Sequence, residues 1–529
     1  MGKEALSIVL LLLFFAVMIG VGIACRKSTS SVQGFVLGSR KVGSWLTAFA
    51  FGTSYFSAVI FVGYAGQFGW RYGLAATWIG IGNALLGSLL AWRVLGRRTR
   101  LMTQHLGSAT MPDFFHRRFG SSGLKTAASI IIFIFLVPYT ASLYNGLSRL
   151  FGMAFGIDYV WCVLGMALLT GVYVLVGGYM ATAVNDFIQG IIMLFGICAV
   201  VVAVLKSNGG FTAAIETLSH VPCETAPGLG GAFVSFFGPQ PIFLLGVVLL
   251  TSLGTWGLPQ MVGKFYAIRD EAAIRKGTVI STVFAAIVAG GCYFLGGFGR
   301  LYGDRIEYTA AGTPVYDSIV PSMLSTLPDL MIGIVIILVL SASMSTLSSL
   351  VLTSGSTLTL DIIQPATGGR MDERSQLLCI RLLVVFFIAV SSVLAIVQAK
   401  SSVTFIAQLM GISWGALAGA FLAPFLLGLF WKRTSTASVW ASFAIGVLIM
   451  CGCMFCTFTG RTFISPFFTS PINAGVLAML AGLVVVPLVS LATPLKASRR
   501  EAVDEMFSCY GHYVTVRATD ALSDTTDSD

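Results

Sequence analysis

The chain is poor in charge. Only 10% of its 529 residues are Asp, Glu, Lys or Arg, against about 25% in a soluble globular protein. A soluble chain of this length would form several domains, and each would need a charged surface that this composition cannot supply. Histidine is scarce as well: His105, His116, His220 and His512 are the full set, and none sits in a long apolar run beside a carboxylate. Material for a metal or nucleophile site is missing, which argues against an enzyme. The ten cysteines fall mostly in apolar runs, where a thiol behaves as a small hydrophobe. Cys451, Cys453 and Cys456 have a spacing superficially like that of a metal site, but without His or acidic neighbours packing is the better explanation. A channel is disfavoured because no filter motif repeats.

What the chain has in quantity is apolar length, with 56% hydrophobic residues. Runs bounded by Gly, Pro or charge fall at 5–24, 44–66, 74–95, 126–151, 157–178, 181–205, 236–258, 278–299, 329–360, 378–399, 402–430, 436–458 and 472–492. At about 20 residues per crossing they predict an all-α polytopic membrane protein of thirteen spans. The first run has only Lys3 before it and is followed by Arg26 and Lys27, so it is expected to be a retained span rather than a signal peptide. An odd number of spans puts the two ends on opposite sides. Of the 32 Lys and Arg residues, 24 then fall on one side, which predicts a plasma-membrane protein with its N-terminus outside and its C-terminus in the cytoplasm. The net charge of +10 is therefore a topology signal and not a sign of nucleic-acid binding. Residues 207–234 and 300–328 look like irregular outer loops, and 496–529 look like a flexible cytoplasmic tail.

Two spans carry breaks. The second contains Phe51-Gly-Thr-Ser-Tyr-Phe-Ser-Ala-Val-Ile-Phe-Val-Gly63, and the seventh contains Leu250-Thr-Ser-Leu-Gly-Thr-Trp-Gly-Leu-Pro259. An interrupted helix in the membrane frees backbone carbonyls, which lipid cannot satisfy but a bound cation can. Close packing through small residues would explain either patch alone. Two patches five spans apart define two groups of five helices with opposite orientation, the inverted repeat of a secondary transporter. The ninth span adds Ser341-Ala-Ser-Met-Ser-Thr-Leu-Ser-Ser349, with Ala342, Ser345 and Thr346 on one face. Any one of these hydroxyls would ordinarily bond back to its own helix. So many together, with no charge, suit a weakly held monovalent ion, and Na+ is the natural candidate. Asp186 is the only ionisable residue between Gly178 and Lys206, which suggests a place on the ion path or, near the cytoplasmic end, a helix-capping role.

At these residues the chain resembles the sodium/solute symporter family, with its proline, pantothenate, sialic acid and sodium/glucose carriers. The resemblance runs from about residue 5 to 495. It rests on Phe35-Val-Leu-Gly-Ser-Arg40, on Gly177 to Gln189, on Ala342 to Ser349, and on Gly411 to Pro424 leading to Leu429-Phe-Trp-Lys-Arg433. It implies a leucine-transporter-like core of five plus five inverted helices with discontinuous first and sixth members. Within one domain of 1–495 the repeats would be 44–205 and 236–430, with an extra helix at 5–24 and two more at 436–492. It further implies a sodium site of Thr53, Phe56, Ala342, Ser345 and Thr346, the family's aspartate at Asp186, and a solute pocket including Tyr55, Ser57, Tyr139, Trp256, Pro259 and Trp414.

The expected function is Na+-coupled import of a small organic solute by alternating access, with no cofactor, in a protein working as a monomer in the bilayer. Tyr55 stands where proline carriers have an acid and sugar carriers an amide, and Val59 and Ile60 replace polar sugar-binding positions. With no acid to hold an ammonium group, the pocket favours a monocarboxylate or pantothenate-like acid. The alternatives are a proline-like amino acid, or a transporter-like nutrient sensor acting with a separate partner. Arg71 could attract an anion or simply snorkel to the interface.

Overall fold

The computed structural model describes residues 3–155, 158–310, 312–399, 406–459, 470–495 and 497–514. Among them the β-type pairings are two isolated bridges, Val42 with Ile268 and Tyr308 with Pro314; the rest is helix and connection. Ten helices are long and apolar enough to cross a membrane, and the bent pair Pro241–Gly257 and Pro259–Ala267 makes an eleventh crossing. Two of the ten, Val59–His105 and Tyr159–Ser207, have 47 and 49 residues. At 1.5 Å per residue each would be about 70 Å long, roughly twice the hydrocarbon thickness of a bilayer. Each divides at a glycine with positive φ, Gly73 (61°) and Gly178 (54°), a conformation that a residue with a Cβ adopts only under strain. The described chain therefore crosses thirteen times, as its apolar runs predict, and the crossings are numbered here as spans 1 to 13.

Span 1 is Lys3–Ala24. Span 2 is Ser44–Thr53, continued after a turn by a wide helical stretch Val59–Tyr64 and by Ala65–Tyr72. Span 3 runs from Thr77 to His105, span 4 is Ser122–Phe155, and spans 5 and 6 are the two parts of Tyr159–Ser207 on either side of Gly178. Span 7 is the bent pair, span 8 is Glu271–Gly296 and span 9 is Asp329–Leu358, which runs on into Thr359–Ile363. Spans 10 to 13 are Glu373–Ala399, Ile406–Phe430, Thr436–Thr459 and Pro471–Ala492. The most apolar stretches of spans 11 and 9 are 89% and 72% buried, against 17% for span 1. Spans 9 and 11 thus run through the middle of the bundle, and span 1 lies on its lipid-facing rim.

Span 7 is longer than its hydropathy indicates. The apolar run ends at Leu258, yet a second half, Pro259–Ala267, continues at 48° to the first. Gln260 and Lys264 conceal this half from a hydropathy reading, although both are buried. Lys264, counted by sequence among the loop cations, is a membrane-embedded residue. Arg40 is likewise buried, and its guanidinium donates to the carbonyls of Thr103, Ser108 and Tyr266. It ties the first cation-rich connection to the ends of spans 3 and 7.

The cation-poor face is covered by the two long connections, which contain helices Phe211–Ser219 and Tyr316–Leu324. Arg300 is wedged between the rings of Trp70 and Phe233, 4.2 and 4.6 Å from their centres, and donates to the Trp70 carbonyl. On the opposite face the expected flexible tail is in part a docked element. Helix Ala497–Ser508 holds Arg499 against the carbonyls of Arg117 and Arg118, and Arg98 lies over the rings of Phe430 and Tyr510. Residues 496 and 515–529 lie outside the described residues, as do Lys400 and Arg461.

Candidate functional site

Span 2 breaks because its own hydroxyls close its first half. Thr53 and Ser54 bond back to the carbonyls of Phe49 and Ala50, a common use of Ser and Thr in membrane helices. The helix restarts only where Ile60 and Phe61 donate to the Ser57 carbonyl. Between these points the carbonyls of Thr53 and Phe56 lack helical partners and turn toward span 9. The Thr346 hydroxyl lies 3.0 Å from the Thr53 oxygen, 3.4 Å from that of Phe56 and 3.1 Å from that of Ala342. The Ser345 hydroxyl is 3.2 Å from Thr53 O and 3.1 Å from Ala342 O. All five residues are fully buried or nearly so. Oxygens at about 2.4 Å from a common cation on octahedral vertices stand about 3.4 Å apart, a spacing close to that of these hydrogen-bonded oxygens.

The five residues implied by the resemblance are thus brought together from two elements almost 300 positions apart. For Asp186 the structure decides against the capping alternative. It is not a cap, because it lies eight residues beyond Gly178 inside the continuous helix of span 6, with its side chain shut off from solvent. Its partner is Lys264, whose ammonium nitrogen is 3.6 Å from Oδ2. Lys264 also donates to the Ser349 hydroxyl at 3.0 Å, and Ser349 pairs with the Ser54 hydroxyl at 3.0 Å. Ser349 stands one turn beyond Ser345, and Ser54 follows Thr53. The pair therefore adjoins the oxygen cluster, on the side facing a cavity of about 60 Å³ lined by Val36, Thr110, Tyr179, Lys264, Ser349 and Ser356.

The aromatic residues proposed for the solute form a second group. Trp414 of span 11 stands at 89° to the Tyr139 ring of span 4, centres 6.1 Å apart, and 6.5 Å from Tyr55 in the break of span 2. The hydroxyls of Tyr55, Ser57 and Tyr139 and the indole nitrogen of Trp414 are buried without a hydrogen-bond partner. The Tyr139 hydroxyl lies within reach of Ser57 and of the Trp414 indole, without the geometry of a well-formed hydrogen bond to either. Four polar tips are thus enclosed together among ring faces at the break of span 2. Trp256 is occupied elsewhere, its indole donating to the Leu86 carbonyl of span 3 at 3.1 Å. Pro259 opens the second half of span 7 and lines the 60 Å³ cavity beside Lys264; it is not among the rings around Trp414. Arg71 lies over the Tyr316 ring at 5.2 Å, an interfacial position away from both groups.

Lys264 is the residue that sequence reasoning missed. The signal was present, since Pro259 is a favourable first residue for a new helix and Lys264 falls on its second turn.

Known proteins resemble the chain over most of its length. Residues 35–446 match the model of the sodium:solute symporter family. The chain is 30% identical over 499 residues to the osmoregulated proline transporter OpuE of Bacillus subtilis, covering 92% of this chain and 95% of that one. It is 29% identical to sodium/proline symporter 2 of Staphylococcus saprophyticus, with 84% of each covered. Its fold is similar to a solved structure described as the substrate-bound outward-open state of a Na+-coupled sialic acid symporter, with a TM-score of 0.69 at 16% identity over 91% of this chain and 98% of that one. With the breaks of spans 2 and 7, the oxygen cluster between spans 2 and 9, and a family match over most of its length, the chain belongs to the sodium:solute symporter family.

Proposed function

We propose that the chain imports proline or a similar small zwitterionic amino acid together with Na+. The coupling ion follows from the family. The choice of solute departs from the organic acid expected from sequence, because the similar proteins are named for proline. The observation that supports the ion site is the pair of hydroxyls, Ser345 and Thr346, lying 3.0 to 3.4 Å from the carbonyls of Thr53, Phe56 and Ala342.

The ring group answers the objection that no acid is present to hold an ammonium. Ring faces of Trp and Tyr attract a cation, more strongly when water is excluded. The unpaired donors of Tyr139, Ser57 and Trp414 are suited to a carboxylate. Tyr55 and Ser57 lie on the same short break whose carbonyls would hold Na+, so ion binding orders the solute contacts as well. Na+ thereby favours the conformation that accepts solute. In this mechanism the two repeats rock around the paired sites, and both ligands leave into the cytoplasm. One positive charge crossing about 100 mV supplies about 2.3 kcal/mol, enough for roughly fiftyfold accumulation before any Na+ gradient is added. With the N-terminus outside, the cavity beside Lys264 would open toward the cytoplasm.

Uptake of radiolabelled proline into proteoliposomes under an inward Na+ gradient tests this function. The expected result is uptake that disappears when Na+ is replaced by choline and that is unaffected by excess lactate or pantothenate. Uptake of either acid in place of proline would restore the organic-acid reading. Solute binding without flux would favour the sensor.

A further inference from the structure

Asp186 and Lys264 form a buried pair that no step above requires. The carboxylate is shut off from solvent, its only ion-pair partner among the described residues is the Lys264 ammonium, and neither oxygen has a well-formed hydrogen bond. A buried carboxylate is tolerated only when a proton or a counter-charge neutralises it, and here the Lys264 ammonium stands in the counter-charge position. The surroundings are otherwise those of an ion site. Ser349 and Ser54 offer hydroxyl oxygens, linked to each other at 3.0 Å, and the oxygen cluster lies one helical turn away. A second Na+ would find a carboxylate and two hydroxyls here, a harder ligand set than the neutral cluster next to it.

We propose that Lys264 is a tethered cation that fills the cation position of Asp186, so that the chain binds one Na+ and not two. The ammonium makes the contacts that a free ion would make: 3.6 Å to Asp186 and 3.0 Å to Ser349. Its stem is anchored on the second half of span 7 beside the Tyr179 ring, 5.2 Å from the nitrogen. Because it is covalently attached, it neutralises Asp186 without travelling, and only the ion in the cluster crosses in each cycle. The inference rests on the assignment of that cluster to Na+.

Equilibrium binding of radioactive 22Na+ to the purified full chain in detergent tests it. One ion per chain is expected for the unaltered protein, two for Lys264→Met, and one again for the double variant Asp186→Asn/Lys264→Met, which removes both charges. Two ions in the unaltered protein would overturn the proposal, as would one ion in a Lys264→Met protein that keeps a cooperative thermal transition. If Lys264→Met does not fold, the count in the unaltered protein decides alone. Ser345→Ala/Thr346→Ala separates the two ideas. Loss of all bound Na+ supports both. One ion retained there but lost in Asp186→Asn would place Na+ at Asp186 and overturn the tethered-cation proposal. One ion retained in both variants would instead overturn the cluster assignment.

Discussion

Thr346 donates its hydroxyl to the carbonyl of Thr53 at 3.0 Å, joining a break in span 2 to the middle of span 9. The contact holds together the two stretches of sequence that are proposed to bind Na+. Replacing Thr346 and Ser345 by Ala removes two of five oxygens and leaves the Thr53 carbonyl without a donor. Loss of such contacts costs about 1–3 kcal/mol. The Na+ concentration for half-maximal uptake is expected to rise about 10- to 100-fold, with the solute maximum recovered at high Na+. Unchanged Na+ dependence in the double variant would remove the site from this position.

Trp414→Ala should act on the other ligand. It deletes the ring that stands across from both Tyr139 and Tyr55, so solute affinity is expected to fall at least tenfold, about 1.4 kcal/mol. Binding of 22Na+ without solute should be nearly unchanged. Equal loss of both affinities would mean that Trp414 supports the bundle and not the solute.

Gly178 allows spans 5 and 6 to part. A Cβ there would lie 2.9 Å from the Phe35 ring on a backbone with φ of 54°. Gly178→Ala is expected to destabilise the chain by about 1–3 kcal/mol, seen as a lower midpoint of thermal unfolding in detergent. An unshifted midpoint would show that the turn tolerates a side chain.

Lys125 sits between two carboxylates near the ends of spans 4 and 9, 2.8 Å from Asp113 and 3.3 Å from the buried Asp361. Lys125→Met leaves Asp361 with only the Thr110 hydroxyl, 2.7 Å away. The expected cost is about 3–5 kcal/mol. Asp361→Asn in the same chain should recover much of it, and a double variant no more stable than the single one would contradict the ion-pair account.

The thirteen spans and both breaks were legible because lipid imposes long apolar runs, and because Gly, Pro and hydroxyls in mid-run are conspicuous against them. The oxygen cluster was legible through resemblance and through the density of hydroxyls at 341–349. The second half of span 7 was hidden because hydropathy counts Lys264 as a loop residue. The fold can bury that ammonium only by pairing it with Asp186 on span 6, and a pairing between distant residues leaves no local trace. The role of Arg40 was hidden for the same reason, its partners being backbone carbonyls on two other elements. The docked helix Ala497–Ser508 looked like free tail because only a few apolar residues, Val503, Met506 and Phe507, face the bundle, and its other anchors are arginines.

In the proposed mechanism the break between Thr53 and Ala58 would offer carbonyls to one ligand and side chains to the other within five residues. A change in the backbone path of that segment is therefore expected to alter ion and solute affinity at once. Tyr139 and Trp414 come from spans 4 and 11, which contribute nothing to the cluster. Side chains on those two helices, like that of Tyr55, are therefore free to change with solute preference, while the carbonyls of the break do not depend on side-chain identity.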